Sequence, residues 1–422
     1  MSSEQTDLVV VGGGLAGLIT AAHGASRGLG VTIIERNVAE GGRARTTEKN
    51  GFYLNQGAHA LYHGGAGGKA LAAVGVHTKA WVPPIAGLVR ANGKLSQLPT
   101  SPTSVMRTKS LGIRSKVEFG KWMGEVPKLD PADYADVSIT DFIRSGVSND
   151  DTAAVAEMFV RLTSYCTEMD VMSADGFLVM TQLAMESGVQ YVHEGWGSIV
   201  GSLRAVAESS GVKFALGDAV KSVRDTPGGF EVSFGDRQVA AKAVVLAAGS
   251  PEIAASIAGG VAPVLKQYAE RAVPVRAACL DLCLDESPPE RFALDADSPL
   301  YWGEHAPAAK LAPEGSSLVH TIRYGTTDAR ADRLELESWA DVIHPKWRDH
   351  VVHEQFLARI VVASDIPQAA LGGLAGRSPV SVPDCEGLLL AGEWVGSEGL
   401  LTEAALTSGA AAAAIAADSS GG

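Results

Sequence analysis

The 422-residue chain holds only four cysteines, Cys166, Cys279, Cys283 and Cys385, too few for a disulfide framework in a chain this long. Cys279 and Cys283 stand four apart, but no second Cys/His pair at ligand spacing accompanies them, so no metal site is expected. Positive charge is also short: 35 Lys and Arg face 48 Asp and Glu, leaving −13 overall. Without a basic stripe, a nucleic-acid partner is not expected. Long apolar runs are missing too. The stretch AKAVVLAAGSPEIAASIAGG is broken by Ser250, Pro251 and Glu252, short of the roughly 18 residues that cross a membrane. No transmembrane segment is expected, though peripheral membrane contact stays open. The start MSSEQTD is acidic and lacks the basic flank of a signal peptide, which points to the cytoplasm.

What the chain has is core-forming capacity and glycine. Hydrophobic residues make up 46%, and the length suits two domains or one discontinuous pair. The 48 glycines exceed the usual share of about 7%. Several cluster in DLVVVGGGLAGLITAAHGASRGLGVTIIERN. Here Asp7 to Val11 reads as a buried parallel strand, and Leu15 to Arg27 as a helix. Val31 to Ile34 reads as a second strand that ends at Glu35. Gly12 permits a tight turn, Gly14 lets the backbone approach a pyrophosphate, and Gly17 allows close helix–strand packing. Free N–H groups at the helix start favour phosphate, and Glu35 stands where a carboxylate takes the ribose hydroxyls. A dinucleotide site follows, either NAD or FAD.

The next segment, ERNVAEGGRARTTEKNGFYLNQGAHALY, places Gly41, Gly42 and Arg43 just past the ribose acid. It resembles the GG-R-x-x-T segment of flavoproteins that include phytoene desaturases, flavin amine oxidases and protoporphyrinogen oxidases, matched at Arg43, Arg45 and Thr46. The closing stretch LAGEWVGSEGLLTEAALTSGAAAAAIA is similar to the A-G-D/E-W segments of carotenoid-desaturase-like members, the branch this chain most resembles. The resemblance implies non-covalent FAD on a discontinuous Rossmann-like α/β domain of the glutathione-reductase type, with an inserted α+β substrate domain. The implied cofactor contacts are Gly12, Gly14, Leu15, Ala16, Gly17, Glu35, Arg36, Gly42, Arg43, Ala58 and His59 from the first segment. Val220, Ala248, Gly249, Gly392, Glu393, Gly399, Leu400 and Leu401 come from the later ones. A helix from about Leu400 would aim its N-terminus at the flavin N1–C2=O edge, where reduction leaves negative charge. An NAD enzyme has no need of this second site.

The expected division is 1–62, 190–265 and 385–422 for the FAD domain, with 63–189 and 266–384 for the substrate domain. A helix near 198–209 and strands near 212–215, 219–224, 230–234 and 238–247 are expected, with a turn at DTPGG. VRAACLDLCL and SLVHTIRY read as extended; 83–102 and 127–131 read as Pro-containing loops. No catalytic acid or base announces itself. His59, Tyr62 and Glu403 are candidates, against a packed histidine and an acid that offsets its own helix dipole. Arg161, Tyr165, Trp196, Tyr301, Trp302, Arg323 and Tyr324 are pocket candidates, and His350 and His353 read as solvated on one helical face. The expected function is an FAD-dependent oxidoreductase that takes a hydride from a small or apolar organic substrate and passes electrons to oxygen, a quinone or another acceptor. Alternatives are a flavin amine oxidase on the same scaffold, a non-catalytic FAD protein and an NAD dehydrogenase. Oligomeric state is open.

Overall fold

The computed structural model describes residues 4–62, 64–83, 86–306 and 309–420. The N-terminal pattern folds as its periodicity dictates. The strands Glu4–Val11 and Val31–Glu35 pair in parallel around the helix Leu15–Ser26. Lys213–Leu216, Arg237–Leu246 and Leu388–Leu390 extend this parallel arrangement. Val220–Thr226 and Gly229–Phe234 add an antiparallel flank through the expected turn. Segments from both ends and the middle of the chain therefore share one seven-stranded sheet. Its central strands are buried on both faces, which explains their unbroken apolar runs.

The Ala-rich closing segment forms the helix Leu401–Ser420. It lies against the helix Leu15–Ser26, and small residues set the approach. A Cβ on Gly409 would come within 2.5 Å of Ile19 Cγ2 and 2.6 Å of the Ala16 carbonyl. The Thr20 hydroxyl donates to the Gly409 carbonyl at 3.1 Å. Bulkier side chains would hold the two helices apart.

A second seven-stranded sheet carries Val351–Ala363, Val275–Leu284, Ser317–Tyr324, Leu300–Glu304, Phe292–Asp295, Leu88–Ala91 and Lys94–Gln97, in that order. Both extended readings hold. The loop reading of 83–102 does not, because 88–97 is a hairpin whose first strand pairs in parallel with Phe292–Asp295. The two-residue period sorts the central strands of this sheet. Ala278, Leu280, Leu282 and Leu284 pack with Trp302 and Val319 against the helix Ala329–Ile343. Cys279, Asp281 and His320 point the other way, toward residues 55–58. Helices Ile113–Glu125, Ile139–Gly146, Asp150–Ser164 and Ala174–Ser187 form a separate layer. Phe119, Trp122, Phe142, Phe159 and Phe177 stack at its centre. His353 is not on a helical face with His350: it lies in the strand Val351–Ala363, and His350 pairs with Asp285 at 3.0 Å.

Candidate functional site

The glycines of the turn differ in what surrounds them. A Cβ on Gly17 would sit 1.9 Å from the Gly12 carbonyl, and one on Gly12 2.5 Å from the Ala247 carbonyl. These two glycines serve the fold. A Cβ on Gly14 meets nothing within 4 Å, and its φ is an ordinary −75°. Nothing among the described residues demands glycine there, so the open space suits a ligand pressed against the backbone. The helix that follows has no side-chain N-cap, which leaves its first N–H groups for an anion. Gly41 closes the other side, its N–H donating to the Gly13 carbonyl at 2.7 Å.

Glu35 is buried at the end of its strand. One oxygen accepts the Gly13 N–H at 2.7 Å, and the other accepts the Asn37 backbone and side chain at 2.8 and 2.6 Å. The Asp218 N–H donates to the Glu35 carbonyl at 3.2 Å, which brings the start of the Val220 strand beside the acid. Arg36 is exposed next to it.

The far end of the chain meets this turn through one ion pair. Arg43 Nη2 lies 2.5 Å from Glu393 Oε2, across 350 residues of sequence. Arg43 also donates to the Val362 carbonyl at 3.0 Å. The other oxygen of Glu393 accepts the Ser364 N–H at 2.9 Å, and the Ser364 hydroxyl donates to the Gly249 carbonyl at 2.9 Å. Four separated segments are thus tied at one point. Burial pushes the Glu393 carboxyl up, but the Arg43 guanidinium overrides it and holds the group below the usual carboxylate range. Arg43 stays 43% open to solvent although protein surrounds it, as a side chain on a cleft floor does.

Ala58, His59, Tyr62, Tyr165, Leu357, Ile360 and Leu401 are half-buried in the same way, and six of the seven pack on one apolar cluster. They continue the cleft past Arg43. The Tyr165 hydroxyl donates to the Ala58 carbonyl at 3.1 Å. His59 Nδ1 is 2.9 Å from the Gly57 carbonyl, and its ring lies 4.8 Å from that of Trp196. Burial lowers the His59 pKa to about 4, so the ring is neutral at pH 7. At the cleft's end Gly399 and Leu401 adopt positive φ, 63° and 53°. For leucine this is strained, and such strain concentrates where structure is held for function.

Glu403 lies in the first turn of the helix Leu401–Ser420, as expected of an acid that offsets its own helix dipole, and it also reaches a neighbour. Its carboxylate leaves its own helix and accepts the Gly67 N–H at 2.8 Å, at the start of the helix Ala66–Ala73. It therefore caps a neighbouring helix. Thr46 accepts the Gly197 N–H at 2.8 Å and so anchors the helix Gly197–Ser209, while Arg45 is exposed. Among the pocket candidates, Tyr165 and Tyr324 meet edge-on with centroids 5.3 Å apart, and Tyr301 is 3.0 Å from His305. Trp302 and Arg323 do not join them. Each is one residue out of phase, so Trp302 faces the outer helix and Arg323 pairs with Glu335 at 2.7 Å.

Several contributors escaped the sequence reading. Ser364 is the hub just described. Arg377 donates to the Glu393 carbonyl at 3.1 Å and the Gly399 carbonyl at 2.9 Å, bracing the last turn. Burial pulls its pKa down to about 10. Asp281 accepts from His320 at 2.5 Å and Cys279 at 3.0 Å, and Gln355 joins it to the Asn55 carbonyl. The thiol, carboxylate and imidazole atoms lie within 4.8 Å of one another. Cys279 and His320 Nδ1 both meet the Asp281 carboxylate behind the loop that carries Ala58, while His320 Nε2 is buried without a partner among the described residues. Only a lone serine, arginine or cysteine marks these positions in sequence.

The chain was compared with known proteins. Residues 15–276 match the model of the family described as flavin containing amine oxidoreductase. Protoporphyrinogen oxidase 2, chloroplastic/mitochondrial, of Arabidopsis thaliana is 29% identical over 165 residues, 37% of this chain and 32% of the plant protein. The match thus spans about a third of that relative's length. An oxidoreductase from Methanosarcina mazei superposes with a TM-score of 0.73 at 20% identity, covering 96% of this chain and 99% of the other. Cyclohexylamine oxidase from Brevibacterium oxydans does so with a TM-score of 0.72 at 16% identity, covering 98% and 99%. The open cradle at Gly14, the uncapped helix start and the cleft from Arg43 to Leu401 fit an extended flavin dinucleotide. The chain belongs to the flavin containing amine oxidoreductase family, and FAD is its cofactor.

Proposed function

We propose that this enzyme removes a hydride from a C–H bond of a small or apolar organic substrate held over the flavin. The Arg43–Glu393 pair is the observation that carries this reading, because it draws the first and last segments of the chain onto one cleft. When bound, FAD supplies hydride acceptance and later electron release to oxygen, a quinone or another acceptor. The N–H groups from Gly14 to Ala16 would hold the pyrophosphate, Glu35 would take the ribose hydroxyls, and the Val220 backbone would meet the adenine. Ala248, Gly249 and Gly392 would approach the dinucleotide through backbone, and the helix start at Leu400 and Leu401 would favour negative charge on the flavin. Residues 1–62, 190–265 and 385–422 act as the cofactor domain, and the two intervening segments as the substrate domain.

Tyr165 fixes the Ala58 backbone, and neutral His59 presents no charge to the cleft. One observation favours amine oxidation as a second reading. Burial raises the pKa of Tyr62, Tyr165, Tyr191, Tyr301 and Tyr324, and at Tyr165, Tyr301 and Tyr324 neighbouring tyrosines raise it further. Such an aromatic wall suits a neutral amine. The test is anaerobic titration of the yellow enzyme with alkenes, amines and porphyrinogens while flavin absorbance is followed. Bleaching by an alkene or porphyrinogen supports the first reading. Bleaching by amines alone selects the second, and a spectrum unmoved by every class rejects both.

A further inference from the structure

Three of the four most exposed large apolar side chains among the described residues fall within twelve positions. Ile113 is 85% exposed, Met106 70% and Val117 69%. Met106 belongs to the helix Pro102–Arg107, and Ile113 and Val117 to the outer face of Ile113–Glu125. The opposite face of the longer helix is buried through Ser115, Phe119 and Trp122. Lys116 Nζ donates to the Met106 carbonyl at 2.8 Å, which ties the two helices together.

The charge of this patch opposes that of the molecule. Residues 106–121 contain five Lys and Arg and one acid, in a chain of net −13. Arg107, Lys109, Arg114 and Lys121 are exposed and enter no ion pair among the described residues. The one acid, Glu118, is engaged by the Ser148 N–H and hydroxyl, both at 2.7 Å. We propose that this helix pair docks the enzyme on an anionic lipid surface. Met106, Ile113 and Val117 enter the headgroup layer, and the four exposed cations meet lipid phosphates.

Aliphatic tips ringed by cations match the recipe for peripheral attachment, in which apolar insertion and attraction to anionic lipid add. Symmetric pairing of two copies through the patch would set its cations against one another, which argues against a self-dimer. No helix among the described residues is long and apolar enough to cross a membrane, so contact of this kind is reversible.

The test is flotation of the FAD-loaded enzyme with phosphatidylcholine vesicles, with and without phosphatidylglycerol. The expected result is binding only to the anionic vesicles, lost as salt is raised. Each basic residue neutralised should weaken binding about fivefold at low salt. R107Q/K109Q/R114Q should therefore lose about a hundredfold, and I113S/V117S should bind more weakly, with flavin absorbance unchanged in both. Failure to bind anionic vesicles overturns the proposal. So does equal binding to neutral vesicles, binding unaffected by these substitutions, or a dimer that they dissolve without any vesicle binding.

Discussion

Replacing Glu393 with Gln isolates the bond between the two ends of the chain. The side chain is buried and charged, and Gln keeps its shape while discarding the attraction to Arg43. A fully buried pair loses roughly 3–5 kcal/mol when one partner goes. Arg43 is nearly half open to water, so we expect about 2 kcal/mol, read as a lower urea midpoint at unchanged slope. Flavin release should accelerate in the same variant. His59 sets a pH dependence. Burial depresses its pKa to about 4 from 6.5, and His305 is likewise pushed well down. Below pH 6.5 the unfolded chain takes up protons that the native chain refuses, so stability falls as pH drops from 6.5 toward 4. Melting temperatures should decline between pH 7 and 5, and H59Q should flatten part of that slope. A melt indifferent to pH over this range would show that neither ring is held neutral.

The glycine turn makes its prediction at the level of an element, because its glycines differ in what they face. Gly14→Ala adds a methyl to open space at an ordinary φ. The apoprotein should melt as the wild type does, yet hold FAD at least tenfold more weakly in equilibrium titration. Gly17→Ala drives a methyl into the Gly12 carbonyl and should lose both FAD and stability. Equal effects from the two would mean that the space beside Gly14 is not a ligand site. Gly409→Val tests the crossing of the first and last helices. The added atoms meet Ile19, and overpacking should cost about 1–3 kcal/mol in denaturant unfolding. These elements were legible because their signals are local: a β-branched run, a glycine turn, an Ala-rich helix. The hairpin 88–97 was not. Pro83 and Pro84 precede it and Pro99 and Pro102 follow, and its first short strand gains its support from Phe292–Asp295, two hundred residues away.

Across the whole molecule, sequence marked the segments proposed to approach the dinucleotide but not what braces them. Arg43 and Glu393 were each assigned to the cofactor, yet they also hold each other. Ser364 and Arg377 work through backbone carbonyls of other segments, and no spacing rule encodes such contacts. The buried tyrosine cluster was half legible. The aromatics were on hand in sequence, but strand phase placed Tyr301 and Tyr324 inward and Trp302 and Arg323 outward. The central claim is that turns at both ends of the chain grip one FAD along its length. A crystal structure of the yellow enzyme tests it most directly. We predict continuous cofactor density from Gly14, past Arg43, to the helix start at Leu401. Density confined to the N-terminal turn, with residues 392–401 away from the flavin, would contradict it.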